Sequence, residues 1–197
     1  MAVKFERTGM LLIISGPSGT GKGTLVKKLM DSDPSFRFSC SVTTRKPRDN
    51  EIEGVHYHFV TEEAFDRLVS ENAFLEHATV HGHRYGTLRA PVERLMAEGF
   101  NVLLDIDPQG AITVMQNADD YVSVFILPPS FEELERRLRG RGTETEEKIC
   151  QRLETAKREL PYAPKYDYQI VNGGDIDAAY AQLRAVFLKE TGCEDEK

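Results

Sequence analysis

Residues 16–24 read GPSGTGKGT and combine closely spaced glycines with one lysine. The apolar residues 10–15 before them predict a strand, and residues 25–30 after them predict a helix. Glycines allow a turn that aims successive backbone N–H groups inward, and the helix N-terminus adds to this cradle for anions. Lys22 supplies a positive charge for the β and γ phosphates. The loop therefore predicts a nucleoside triphosphate site, formed by Gly16, Pro17, Ser18, Gly19, Thr20, Gly21, Lys22, Gly23 and Thr24.

The position after Lys22 departs from the usual pattern of such loops. It holds Gly23 instead of Ser or Thr, and a hydroxyl follows one residue later, at Thr24. This leaves open whether a side chain of the loop coordinates Mg²⁺ directly. Asp105 ends an apolar run and could hold the ion through water. The alternative for Asp105 is a cap of a turn or helix.

Strand-like and helix-like segments alternate along the chain, which predicts an α/β fold with a parallel sheet. Five core strands are predicted, over residues 10–15, 36–42, 100–106, 121–127 and 168–172. Ser130 with Glu133 and Thr143 with Glu146 have the spacing of capping boxes, and Asp175 can cap the last helix. These signals predict helices over 130–139, 143–160 and from 176 onward.

Two stretches interrupt the alternation. Residues 43–98 hold short β-like pieces at 56–60 and 77–81 around a helical piece at 61–71, and they predict an inserted subdomain. Residues 138–152 are rich in Arg, Glu and Thr, which is the composition of a solvated lid between helices. The predicted core is therefore 1–42 with 99–197, carrying a lid at about 138–152.

Composition excludes several classes of protein. The 197 residues carry a formal net charge of −7, so bulk positive charge does not hold DNA or RNA. No apolar run has the length of a membrane span, and the start of the chain lacks the apolar segment of a signal peptide. Cys40, Cys150 and Cys193 form no CxxC pair, which indicates free thiols in the cytoplasm. A homo-oligomer remains open.

A second motif covers residues 43–60, TTRKPRDNEIEGVHYHFV. It resembles the guanylate kinase signature TTRxPRxxExxGxxYxF, and the loop at 16–24, LLDIDPQG at 103–110 and RGRGTETEE at 139–147 extend the resemblance over nearly the whole chain. The resemblance implies a P-loop three-layer fold with a GMP-binding subdomain and a helical lid. It also implies Mg²⁺-dependent transfer of the ATP γ-phosphoryl group to GMP, and to dGMP as a further acceptor.

The acceptor residues make physical sense in that role. Arg45 and Arg48 lie three apart on a proline-stiffened loop and can fork one phosphate. Glu76 resembles the base reader of the family, because a carboxylate accepts hydrogen bonds from the N1–H and N2–H₂ donors of guanine. Adenine presents an acceptor at N1, so it is disfavoured. The resemblance places Ser41, Arg45, Arg48, Tyr57, Glu76, Tyr85, Thr87 and Asp107 around GMP, with Thr87 where many members have Ser.

The chemistry needs no general base. The acceptor phosphate has a second pKa of about 6, so it is already an oxyanion at neutral pH. Catalysis can then consist of positioning and charge neutralisation. The resemblance assigns this role to Lys22, Arg45, Arg137, Arg141 and Arg152. It also places Asn172 beside the adenine of ATP and includes Arg141 among the ATP-binding residues.

Other interpretations remain open at this stage. Arg45, Arg48 and Glu76 could be ordinary surface charges. His77, His81 and His83 have spacings that could bind Zn²⁺, although no suitable fourth ligand lies near in sequence. Guanylate-kinase-like domains also serve as protein-interaction modules, and the GKGT sequence resembles adenylate kinase too. The intact Lys22 loop favours an enzyme, and Glu76 with the TTRxPR run favours GMP.

Overall fold

The computed structural model of the chain describes residues 9–80, 82–118, 120–140, 142 and 145–192. The strands are β1 Leu11–Ser15, β2 Phe36–Phe38, β3 Ser41–Thr43, β4 Tyr57–Phe59, β5 Phe74–Val80, β6 His83–Leu88, β7 Asn101–Asp105, β8 Val122–Leu127 and β9 Tyr168–Val171. The α-helices are α1 Lys22–Ser32, α2 Glu62–Ser70, α3 Arg89–Ala97, α4 Pro108–Asn117, α5 Phe131–Gly140, α6 Glu146–Glu159 and α7 Ile176–Thr191, and a 3₁₀ helix covers Leu160–Lys165.

The main sheet has five strands in the order β2-β7-β1-β8-β9. The pairs β2 with β7, β1 with β8, and β8 with β9 are parallel. Every residue of β1 is buried, as expected for a strand of a parallel sheet that is covered on both faces. The predicted α/β fold with a five-stranded parallel sheet is confirmed.

Residue contacts divide the described chain into two units. The first comprises residues 9–11, 35–104 and 109–121. It contains a second sheet of four strands, in the order β4-β3-β6-β5. Val42, Phe65 and Phe74 form a buried cluster there, and the Phe65 and Phe74 rings stack with centroids 4.6 Å apart. The predicted boundaries of the inserted subdomain, 43–98, stay a prediction.

The second unit comprises residues 12–34, 105–108 and 122–192. Helices α1 and α7 pack together in it, and the Lys28 ammonium pairs with Asp177 while Arg184 pairs with Asp33 at 2.6 Å. Asp175 caps α7 as predicted, because its carboxylate accepts from the backbone N–H groups of Asp177 and Ala178. Among the described residues, no helix is both long enough and apolar enough to cross a membrane.

Several predicted boundaries were wrong. The strand predicted over 36–42 is two strands in different sheets. The first, β2, pairs with β7, and the Ser39 backbone N–H donates to the carbonyl of Leu103 in β7, whereas β3 pairs with β4 and β6. The single strand predicted over 77–81 is part of the hairpin of β5 and β6. Helix α1 begins at Lys22 rather than at residue 25, and α3 and α4 were not predicted.

The solvated stretch predicted over 138–152 is helical over most of its described length. Helix α5 extends to Gly140 and α6 begins at Glu146. These two helices bury a common apolar cluster of Leu134, Leu138, Ile149, Leu153 and Ala156. The pattern therefore predicted the exposed charges correctly but missed the apolar face beneath them.

The helix starts in this region were only half predicted. The Ser130 hydroxyl accepts from the Glu133 backbone N–H at 3.2 Å, as the capping pattern predicts. Helix α6 instead has Thr145 at its N-cap position, and its side chain makes no capping bond. The cap predicted at Thr143 is thus two residues too early. Thr143, like Arg141, His81 and Cys193, lies outside the described residues.

Candidate functional site

The glycine-rich loop between β1 and α1 has the backbone that its sequence predicts. Gly16, Gly19 and Gly21 all have positive φ angles, of 143°, 94° and 88°. Glycine is needed at Gly16 for a second reason, because a Cβ there would lie 2.3 Å from the carbonyl oxygen of Ile126. The loop therefore depends on glycine both for its turn and for its close approach to β8.

The start of α1, like that of α3, lacks both a side-chain cap and acidic residues, in contrast to the starts of α2, α5, α6 and α7. Gly21 occupies its N-cap without a side-chain bond, and its fully described first turn contains no Asp or Glu. Helices α2, α5 and α6 each carry two acidic residues in the first turn. Acidic side chains normally satisfy the positive end of a helix dipole. The positive end of the α1 dipole therefore stays uncompensated beside the glycine-rich loop, where an anion can bind.

The Lys22 ammonium lies against the loop that precedes it. It donates a short hydrogen bond to the Gly16 carbonyl and a longer one, of 3.5 Å, to the Pro17 carbonyl. These bonds hold the positive charge beside the backbone of the loop. The predicted phosphate-binding lysine is therefore in place before any ligand binds.

Three other predicted residues meet at this loop. Arg152 of α6 donates to the Ser18 hydroxyl at 3.0 Å, and Arg137 of α5 donates to the Asn172 carbonyl at 3.0 Å. The Asn172 side-chain amide donates to the Thr20 carbonyl at 2.8 Å. The fold thus brings Arg137 and Arg152, two of the predicted catalytic arginines, to the predicted triphosphate site.

The hydroxyl groups of the loop have different environments. The buried Thr20 hydroxyl donates to the Pro17 carbonyl at 2.8 Å, so it stabilises the turn. Thr24 is exposed on the first turn of α1. A Cβ on Gly23 would meet no described atom within 4 Å, so the missing hydroxyl at this position has no steric cause.

Two acidic side chains of the second unit, Asp105 and Glu159, interact electrostatically with Lys22. Burial raises the pKa of Asp105, and Lys22 opposes that rise. Burial likewise raises the pKa of Glu159 to about 7, with Lys22 opposing and Asp107 reinforcing it. Glu159 was not predicted from the sequence. It stands at the charged end of α6, where the helical pattern alone gives no sign of a partner.

Replacing Glu159 should change how stability depends on pH. The folded protein binds the Glu159 proton more tightly than the unfolded chain, so stability falls as pH rises from about 4.5 to about 7. Glu159→Gln removes this loss, and we expect its stability relative to wild type to improve across that window by at most about 3 kcal/mol. Urea unfolding at pH 5 and pH 8 measures the difference. If the free energies of unfolding of the variant and of wild type differ by the same amount at pH 5 and pH 8, the raised pKa of Glu159 is contradicted.

Glu154→Gln is a matched control on the same helix. Its carboxylate pairs with Lys157 at 2.8 Å, and this hydrogen bond lowers the pKa of Glu154. It is therefore charged throughout the pH range tested, and its replacement should not alter the pH dependence.

The predicted acceptor loop in the first unit is anchored by its two threonines. The Thr43 hydroxyl donates to the Arg84 carbonyl at 2.9 Å and accepts from the Arg45 backbone N–H at 3.2 Å. The Thr44 hydroxyl accepts from the Arg84 backbone N–H at 3.0 Å. These bonds fix the start of the loop on β6 and so fix the backbone that carries Arg45.

Glu51 organises the same loop, although it is not among the predicted site residues. Its carboxylate pairs with the Arg45 guanidinium at 2.7 Å and accepts from the Arg48 backbone N–H at 2.8 Å. The Arg45 hydrogen bond lowers the pKa of Glu51 to about 2. The acid of the TTRxPRxxE pattern was the available signal.

The Nε–H of Arg45 has no hydrogen-bond acceptor among the described residues. Its two terminal nitrogens bond to the Lys46 carbonyl and to Glu51, each at 2.7 Å. Its Nε is buried, and no described residue accepts from it. A buried guanidinium N–H without an acceptor is costly. An anionic ligand would satisfy it.

The aromatic residues predicted for this site lie beside Arg45. The Tyr57 and Tyr85 rings meet edge to face with centroids 5.9 Å apart, and the Arg45 guanidinium lies 5.4 Å from the Tyr57 ring centroid. Ser41 is paired with Tyr57 across the parallel strands β3 and β4. Arg48 is exposed on the loop.

Glu76 and Thr87 form a buried polar pair on β5 and β6. Glu76 is 4% exposed and Thr87 is fully buried. The two residues face each other across the hairpin, and the Thr87 hydroxyl donates to the Glu76 carboxylate at 2.7 Å. Thr87 therefore orients the predicted base reader. The eighth predicted acceptor residue, Asp107, belongs to the second unit.

The structure gives no support for a zinc site. Among the described residues, no group of three His, Cys, Asp or Glu side chains could hold a metal ion. The His77 ring packs near Phe65 and Phe74, with centroids 6.2 and 5.8 Å away. His83 is exposed, and His81 lies outside the description.

Comparisons with known proteins agree with this arrangement. The family model for guanylate kinase matches residues 8–190. A guanylate kinase of Syntrophotalea carbinolica is 50% identical over 188 residues, which cover 95% of this chain and 89% of the relative. A guanylate kinase of Rickettsia prowazekii is 45% identical over 188 residues, which cover 95% of both chains.

A solved structure is also similar. The crystal structure of guanylate kinase from Anaplasma phagocytophilum aligns with a TM-score of 0.77 and 36% identity, and the alignment covers 94% of this chain and 88% of the other. The family match, the curated relatives and the shared fold thus agree with the phosphate-binding loop and the TTRxPR segment. The chain belongs to the guanylate kinase family.

Proposed function

We infer that this chain catalyses transfer of the γ-phosphoryl group of ATP to GMP, giving ADP and GDP. The observation that carries the choice of acceptor is the buried pair of Glu76 and Thr87. A carboxylate accepts hydrogen bonds and donates none, and guanine presents two adjacent donors, N1–H and N2–H₂. Glu76 therefore favours guanine over the other bases.

We assign ATP binding to the glycine-rich loop of residues 16–24. The uncapped N-terminus of α1 and the Lys22 ammonium supply the positive field that the β and γ phosphates need. Asn172 supports the loop through Thr20, and its place beside adenine is part of the same proposal. Arg141 remains in the proposed site on the resemblance alone.

We assign the GMP phosphate to Arg45, Arg48, Tyr57 and Tyr85. The buried, unpartnered Nε of Arg45 within the described residues supports this, because a phosphate oxygen is a suitable acceptor. Glu51 fixes the guanidinium plane and so limits the entropy lost on binding. Ser41, Thr87 and Asp107 complete the set proposed to contact GMP.

The proposed chemistry is positioning with charge neutralisation. The GMP phosphate attacks as an oxyanion, and no side chain has to remove a proton from it. Lys22, Arg137, Arg141 and Arg152 would neutralise the charge that develops on the transferring group, and Arg45 would do so from the acceptor side.

Nucleotide kinases of this family generally need a divalent metal, and we propose Mg²⁺. The half-buried carboxylate of Asp105, which interacts electrostatically with Lys22, offers oxygen atoms that suit a hydrated ion. Asp105 would hold it through water. When bound, Mg²⁺ supplies further neutralisation of the triphosphate charge.

Location and assembly are also proposals. Cys40 and Cys150 are free thiols, which supports action in a reducing compartment such as the cytoplasm. The net charge of −7 disfavours nucleic acid as a partner. Light scattering tests whether the chain forms a homo-oligomer.

An acceptor panel tests the proposed function. Coupled ADP release is measured with ATP, Mg²⁺ and one of GMP, dGMP, AMP, CMP or UMP. We expect GMP to give the highest kcat/KM and dGMP to be accepted. Preference for AMP would indicate another nucleoside monophosphate kinase. Failure with every acceptor would favour a protein-interaction module.

Replacing Glu51 should weaken GMP binding selectively. Glu51→Gln keeps the size of the side chain but removes the charge that holds Arg45, so we expect the KM for GMP to rise about 10- to 100-fold. The KM for ATP should change by less than about 3-fold. Initial rates with each substrate varied in turn measure both constants.

Glu53→Gln is the control for Glu51→Gln. Glu53 lies on the same loop and accepts from the Phe59 backbone N–H at 2.8 Å, whereas the Arg45 guanidinium bonds to Glu51. We expect nearly normal kinetics from it. Equal increases in both KM values for Glu51→Gln would contradict a selective acceptor role.

A further inference from the structure

The Arg137 guanidinium is held at two points. Its Nε pairs with the Glu133 carboxylate at 2.8 Å, one helical turn earlier on α5. Its Nη2 donates to the Asn172 carbonyl at 3.0 Å. The Arg137 side chain is 17% exposed. Two bonds at an angle fix the plane of the group as well as its position, which a single contact would not do.

The other two arginines of α5 are held differently. Arg136 also pairs with Glu133, but its side chain is 74% exposed. Arg139 pairs with Glu135 at 2.8 Å and with Glu146 of α6. Arg137 alone among these three has a recorded bond to the backbone after β9. The pair of Arg137 and Glu133 is therefore linked to the backbone after β9, unlike an ordinary surface ion pair.

Asn172, whose carbonyl accepts from Arg137, is also bonded to the phosphate-binding loop. Asn172 is 4% exposed, and its side chain donates to the Thr20 carbonyl at 2.8 Å. Its side-chain oxygen accepts from the Gly174 backbone N–H at 3.2 Å. The contacts thus run from Glu133 through Arg137 and Asn172 to the loop, and each is within the second unit.

The charges leave Arg137 suited to an anion. Glu133 carries one negative charge between two guanidinium groups, so the cluster keeps a net positive charge. The hydrogen bonds from Arg136 and Arg137 lower the pKa of Glu133 to about 2. The carboxylate is therefore ionised at any pH at which the enzyme would be assayed. The Nη1 group and the second Nη2 hydrogen of Arg137 are not used in its bonds to Glu133 and Asn172.

We propose that Glu133 is a positioning residue for phosphoryl transfer, which holds the Arg137 guanidinium in the orientation that meets the transferring group. The inference rests on the proposed function, because it takes Arg137 as one of the groups that neutralise the transition state. An arginine oriented in advance loses less entropy when that charge develops. Glu133 then affects kcat more than the binding of either substrate.

Steady-state kinetics of Glu133→Gln and Glu133→Ala test the proposal. We expect kcat to fall about 10-fold for the alanine variant and by less for glutamine, which keeps an acceptor for Nε. The KM values for ATP and GMP should each change by less than about 3-fold. Glutamine keeps the side-chain volume and the Ser130 cap, so it guards against loss of folding. Circular dichroism and melting temperature confirm the fold of each variant.

Two control variants separate positioning from helix stability. Glu132→Gln removes the other acidic residue in the first turn of α5, which interacts with the helix dipole as Glu133 does. Arg136→Ala removes the other partner of Glu133 and leaves Arg137 unchanged. Both should keep kcat within about 2-fold of wild type.

A double-mutant cycle with Arg137→Ala gives the deciding result. If Glu133 acts through Arg137, then Glu133→Ala should have less than about a 2-fold effect on kcat once Arg137 is absent. An undiminished effect in that background would overturn the proposal, as would an unchanged kcat for Glu133→Ala or for Arg137→Ala alone. A wild-type protein that does not phosphorylate GMP would instead refute the proposed function, so the two failures are distinct.

Discussion

Lys22→Ala should lower kcat about 100-fold or more while leaving the fold intact. The lysine ammonium is the one side-chain cation within the loop of residues 16–24, and its recorded bonds are to the loop carbonyls of Gly16 and Pro17. Its loss removes positive charge at the place where phosphoryl transfer develops negative charge. Turnover at saturating ATP and GMP measures the effect.

Lys27→Ala provides the comparison for Lys22→Ala. Lys27 lies on the same helix, is 75% exposed and pairs with Asp31. Its removal changes the net charge equally, so kcat should stay close to that of wild type. Near-normal turnover by a folded Lys22→Ala protein would refute the assignment of the loop.

Glu76→Gln should reduce the preference for GMP over AMP by about 30- to 900-fold, which corresponds to roughly 2–4 kcal/mol. The Thr87 hydroxyl can still donate to the amide oxygen, as it does to the carboxylate at 2.7 Å. The amide nitrogen then presents donors to the base. The N1–H and N2–H₂ donors of guanine would then face the donors of the amide, whereas adenine offers an acceptor at N1.

The ratio of kcat/KM for GMP and AMP measures this change in specificity. Glu71→Gln, an exposed position at the end of α2, is the control and should leave the ratio unchanged. A ratio that is also unchanged for Glu76→Gln would mean that guanine is recognised by other residues.

The phosphate-binding loop could be predicted from the sequence because all of its signals are local. A buried strand, glycines with positive φ, a lysine and a helix follow one another within residues 11–32. The five parallel strands were likewise visible as apolar runs. Local patterns failed where the partner decides the structure: residues 36–42 form two strands because each half pairs with a different sheet.

The residues that support the site were harder to predict than the residues proposed to act in it. Glu159 approaches Lys22 and Asp107 only after the chain folds. The role proposed for Glu133 depends on its bond to Arg137, which in turn bonds to the backbone of Asn172. Each acid lies on a charged amphipathic helix, where solvent exposure is the ordinary expectation. Glu51 was visible in the family signature, but its bond to Arg45 depends on the fold of the loop.

The uncapped start of α1 would link nucleotide binding to folding if the proposed function holds. Helices α2 and α7 obtain a capping hydrogen bond from the chain itself, from Thr61 and Asp175. At α1 the proposed function assigns this role to the phosphates of ATP. A ligand that binds only the folded state raises the free energy of unfolding. ATP should therefore protect the folded chain against unfolding more strongly as its concentration rises above its Kd.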